Sequence, residues 1–168
     1  MVTGLGLHMA IDESELIALM STPEGKRADF ATELEERKSG TRSAYATDKA
    51  WVFLHEALND CDPFGSYALP GGLVEMDRYA IIGGEDLEQA DDYYIGLLRS
   101  EFVGPVADTL DRYTDADIAR RVMATHERLG LSNGAQDAAY AAENWPGFTA
   151  FYRNARDAGD HVIFTVDQ

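Results

Sequence analysis

Leu5 and Leu7 alternate with Gly4 and Gly6, a period of two that predicts a first strand near the start of the chain. The period then changes. Asp12 and Glu15 have the spacing of a capping box, in which the aspartate accepts from a free first-turn amide and the glutamate reaches back. Leu16, Leu19 and Met20 form the expected buried stripe of that short helix, which Pro23 and Gly25 close. A second helix is expected over 26–38; it is mostly charged, with Phe30 and Leu34 as an i,i+4 apolar pair, and belongs on the surface. A stronger helix starts at Thr47-Asp48, because Trp51, Leu54, His55 and Leu58 share one face at i, i+3, i+4 and i+7.

Pro63, Gly65, Pro70, Gly71 and Gly72 predict a long loop over 60–77. Tyr79–Ile82 reads as a short strand running into Gly83-Gly84-Glu85, and the carboxylate-rich run Glu85–Asp92 as a solvated loop. A strand over Tyr93–Leu98 follows, then a helix over 100–113 that Gly104-Pro105 shortens or kinks. Thr114–Asp117 caps another helix carrying Ile118 and Val122, and Ser132-Asn133-Gly134 is a turn. A last helical region, about 136–158, is broken at Pro146-Gly147 and stopped by Gly159-Asp160. Its aromatics, Tyr140, Trp145, Phe148, Phe151 and Tyr152, suit packing of a helix against a sheet. His161–Val166 forms a terminal strand with Val162, Phe164 and Val166 on one face.

Composition narrows the class. The 168 residues, 45% of them apolar, fit one domain able to bury a core, over 1–168. No apolar run is long enough to span a bilayer, and the opening residues lack the basic flank and apolar stretch of a signal peptide. Cys61 is the single cysteine, set between Asp60 and Asp62, which disfavours a thiolate. These features place the protein in the cytoplasm, with no membrane partner.

The net charge of −16 changes the picture most. Both halves of the chain carry the excess, so it belongs to the fold and not to a tail. Such a surface repels phosphate backbones and excludes nucleic acid, but attracts a basic protein. It also serves solubility.

Chemistry is less legible. His8, His55, His126 and His161 form no metal-ligand pattern, and Asp60-x-Asp62 and Asp115-x-Asp117 lack the remainder of a calcium loop. Gly4-Leu5-Gly6 and Pro23–Arg27 fail as nucleotide signatures, and there is no nucleophile elbow. No metal and no cofactor are expected. The candidate site is Asp48, Trp51, His55, Gly83, Gly84 and Glu85 around one pocket. There the glycine pair admits a ligand or another main chain, Glu85 serves as base or cation acceptor, and His55 exchanges protons. The competing reading makes Trp51 and His55 core residues and the glycine pair a plain turn. Tyr93-Tyr94 beside the acidic run is a second interface candidate, with Tyr94 a ligand-binding residue.

In their order along the chain, several of these pieces resemble the YfbM-like family of bacterial proteins of unknown function. The resemblance rests on the opening strand with the capped helix from Asp12, and on Asp48-Lys49-Ala50-Trp51 with Leu54-His55 and Leu58. It continues through Ile82-Gly83-Gly84-Glu85, Leu98 to Thr114, and Phe151-Tyr152 with the terminal strand. The stretch 60–77 and the interruption at Gly104-Pro105 depart from it. The resemblance implies an α/β (mixed α+β) fold, a small mixed sheet packed by several helices. It implies no activity. Two functions stand: an immunity or regulatory module binding a basic protein partner, or a small-molecule-binding protein or enzyme using Glu85 and His55 on a small polar ligand.

Overall fold

The computed structural model describes residues 4–59, 79–89 and 93–167. The 60–77 stretch with Cys61, and residues 90–92 of the acidic run, lie outside them. Strands β1 (Gly6–Ile11), β2 (Ala44–Asp48), β3 (Glu85–Gln89), β4 (Tyr93–Leu98) and β5 (His161–Asp167) form one sheet in the order β2-β1-β5-β4-β3. Helices α1 (Glu13–Ser21), α2 (Arg27–Lys38), α3 (Ala50–Asn59), α4 (Ser100–Leu110), α5 (Asp115–Leu129) and α6 (Gly134–Ala158) cover it. Every pairing is antiparallel, so the sheet expected to be mixed is not.

Side chains alternate across the strands, and the two faces build two cores. Ala10, Tyr94, Leu98, Val162, Phe164 and Val166 meet α3 to α6. Met9, Ile11, Leu87, Ile95, Leu97 and Ile163 meet α1 and α2 through Leu16, Leu19, Ala31 and Leu34. The inner strands are therefore buried on both faces, which is why His161–Val166 is buried throughout. The capping boxes at Asp12/Glu15 and Thr114/Asp117 form as expected.

Several elements depart from the sequence pattern for identifiable reasons. Met20 is 40% exposed because α1 rests on the sheet through Leu16 and Leu19. Thr47-Asp48 ends β2 instead of starting a helix: Thr47 Oγ1 donates to Gly6 O (3.0 Å), and α3 begins at Ala50 after a left-handed Asp48 (φ 48°). Residues 85–89 are an edge strand, not a solvated loop. Its carbonyl at Leu87 accepts from Arg27 (2.6 Å), and Glu88 accepts from the Gly25 amide (3.2 Å), so tertiary bonds override the polar sequence. Helix α6 runs unbroken through Pro146-Gly147. The proline costs a helix bond, but Trp145, Phe148, Phe151 and Tyr152 are buried on both sides of it. Gly147 is there for Tyr45, whose ring would lie 2.5 Å from an added Cβ and whose hydroxyl donates to Asn144 O (2.9 Å).

Tyr79–Ile82 is a turn, not a strand. Three successive carbonyls of this turn are taken by side chains from three elements. The Tyr152 hydroxyl of α6 donates to Ala80 O (2.5 Å), and His8 Nε2 of β1 to Ile81 O (3.0 Å). The Tyr94 hydroxyl of β4 shares its proton between Ile82 O (3.0 Å) and Asp86 Oδ1 (2.6 Å). The turn also presses on β4 so closely that a Cβ on Gly96 would fall 1.9 Å from Ile82 O.

His8 is fully buried among Phe148, Phe151, Tyr152 and Phe164. Burial pulls its pKa from 6.5 down to about 3, against the opposing pull of its backbone hydrogen bonds. The unfolded chain therefore binds a proton that the fold refuses, so His8 contributes stability above pH 6.5 that is lost progressively towards pH 3. Between those limits, urea unfolding of the native protein should show a pH slope up to ~1.4 kcal/mol per unit steeper than that of His8→Gln. Equal slopes would contradict a buried neutral imidazole.

Candidate functional site

The glycine pair follows directly on the held turn. The Gly83 amide donates to Tyr79 O (3.1 Å) and the Gly84 amide to Leu97 O (2.9 Å). Gly83 has φ +79°, and a Cβ there would lie 2.8 Å from the Leu97 backbone nitrogen. What the pair admits is thus another main chain, that of β4.

Beside it opens a cleft of about 270 Å³. Tyr79, Leu97, Leu98 and Phe102 form its apolar walls, with Gly84, Glu85 and Arg99 completing the lining. Arg99 Nε and Nη2 donate to the two carboxylate oxygens of Glu85 at 2.5 and 3.1 Å. Its guanidinium is held charged by Glu85 first, with Glu101 and Glu13 adding to the effect. Glu13 is fixed in turn by His161. The Ser100 amide donates to His161 Nδ1 (3.0 Å), so Nε2 carries the proton and donates to Glu13 Oε2 (2.8 Å). One ring thereby caps α4 and orients a carboxylate.

The cleft gathers only part of the expected set. Gly84 and Glu85 line it; Gly83 and Tyr94 support the turn behind it. His55 does not line it. That ring is fully buried in α3, where Asn59 Nδ2 donates to its Nδ1 (3.2 Å). Trp51 fills the space over Gly6, packs on Phe164 (5.4 Å between ring centres), and donates from Nε1 to Gly4 O (3.0 Å). Asp48 accepts from the Tyr140 hydroxyl (2.9 Å). Among the described residues, Glu85 lines this cleft and His55 does not. The Tyr93 hydroxyl donates to Glu35 (2.7 Å), a carboxylate it shares with Thr165 (2.6 Å).

Other groupings gave no sequence signal. His126 of α5 lies between Glu56 of α3 (3.3 Å) and Asp137 of α6 (3.7 Å), a cluster assembled only by packing of three helices. A second cleft, about 360 Å³, is edged by Arg42, Ser43, Asn154, Asp157 and Asp160. Burial raises the Asp160 carboxyl above its usual range. Among the described residues no cluster of His, Cys, Asp and Glu is arranged to hold a metal, and no helix is long and apolar enough to cross a membrane.

The family model "Domain of unknown function (DUF1877)" matches residues 3–165. No curated protein matches the chain. A solved structure, the protein of unknown function YfbM from Escherichia coli, superposes with a TM-score of 0.68 at 18% identity, over 96% of this chain and 99% of that one. At that identity the likeness is one of fold.

The geometry separates two roles that the sequence joined. His55→Ala should lower the melting temperature by ~5 °C or more, since it empties a buried site. Glu85→Gln should change it by less than ~2 °C, because an exposed ion pair contributes little. Thermal denaturation followed by circular dichroism checks both; equal shifts would contradict the separation.

Proposed function

The chain belongs to the DUF1877 family, a YfbM-like family of unknown function, and we propose that it is a binding module whose acidic surface engages a basic protein partner. The observation that carries this reading is the state of the charges. Against −16 overall, Arg37, Lys38, Arg99, Arg120, Arg153 and Arg156 are each tied to a carboxylate of the same chain. Each such pair is locally neutral, and the field outside the molecule is set by the overall excess of 30 acidic over 14 basic residues. Such a field speeds encounter with a basic surface and discourages phosphate backbones. A regulatory or immunity role, exercised in the cytoplasm by covering such a partner, fits this chemistry.

The 270 Å³ cleft favours a second reading, a small-molecule-binding protein whose ligand lies against Glu85. Native mass spectrometry of protein purified from its source cell tests it: a retained small molecule supports this reading over the first. For the first, a pull-down from the source cell should recover a basic protein at ~50 mM salt and progressively less as salt screens the charges. Recovery of no basic protein at low and moderate salt alike would contradict it.

A further inference from the structure

We propose that the cleft beside Gly84 receives an arginine side chain of the basic partner, between the aromatic walls Tyr79 and Phe102 and the carboxylate of Glu85. The inference rests on the reading of the protein as a binder of basic partners and deepens it to one site.

Three observations converge here. The cleft's volume, about 270 Å³, suits one long side chain better than a folded loop. Its walls are largely apolar, and Phe102 is 41% exposed, an aromatic surface suited to the methylene stem and flat guanidinium of arginine. Its charged lining is the Glu85 carboxylate held by Arg99, and Glu101 and Glu13 add to the negative potential at that arginine. An anionic ligand would have to displace Glu85 from Arg99, which it holds through both oxygens. A cationic one can bind the outward lone pairs of Glu85 and leave that pair intact. The carboxylate is also preorganised, because Arg99 fixes Glu85 through both its oxygens.

The test titrates the ¹⁵N-labelled protein at low salt with acetyl-Gly-Arg-Gly-amide and its neutral citrulline counterpart. The arginine peptide should shift the amides of Gly84, Leu98, Arg99 and Phe102, and the citrulline peptide should not. Glu85→Gln and Phe102→Ala should each weaken binding about fivefold or more, whereas Glu127→Gln on the exposed face of α5 should leave it unchanged. Shifts spread over the whole surface, weakened equally by Glu127→Gln, would overturn the site while leaving the acidic module standing. Absence of any shift would overturn the site, and failure of the pull-down with it would remove the broader reading. Free argininamide carries the same side chain and should shift the same amides; if it leaves them unmoved, the occupant is not an arginine side chain.

Discussion

Ala80, Ile81 and Ile82 offer three consecutive carbonyl oxygens to the larger helical side of the sheet, and each meets a side chain from a different element. A buried carbonyl left unpaired costs ~1–3 kcal/mol, so this short turn would be unfavourable in the core without its partners. With them it ties α6, β1 and β4 to one point. The consequence runs outward. The turn fixes Gly83 and Gly84 against the backbone of Leu97, and so sets the wall on which Tyr79 stands and the start of β3 from which Glu85 projects. His8 is held neutral beside the turn, since burial among aromatic rings disfavours its charged form.

The surface obeys a different constraint. The acidic excess is distributed over both halves of the chain, and no single cluster contains it. What distinguishes the cleft is an apolar floor beside a fixed carboxylate; under the proposed reading, the acidic field draws a basic partner near and this cleft gives it a particular place to rest. The Arg99–Glu85 pair serves there as positioning, since an exposed ion pair adds little to stability.

Much of the fold was legible because local signals agreed with tertiary packing. The capping boxes and the alternation of Val162, Phe164 and Val166 survive in the structure, while α3 is buried nearly all round and not on the Trp51–His55 face alone. Edge strands were not legible. β3 has one apolar residue, Leu87, and its pairing is completed by Arg27 and Gly25 from distant sequence. Pro146 misled because its cost is local, while the compensating aromatic burial is spread along α6. At the site, Gly84 and Glu85 were readable as a turn followed by an acid. Arg99 and Phe102 were not, because only the pairing of β3 with β4 brings them alongside. His55 carries no such signal, since a histidine on an apolar helical face looks the same whether it faces a ligand or the core.

Native-state hydrogen exchange at Gly83 and Gly84 tests the role of the held turn most directly. Both amides should exchange only through near-global opening in the native protein, and Tyr94→Phe with Tyr152→Phe should open them locally while the amides paired between β1 and β5 stay protected. Unchanged protection at both glycines in the double variant would contradict the account.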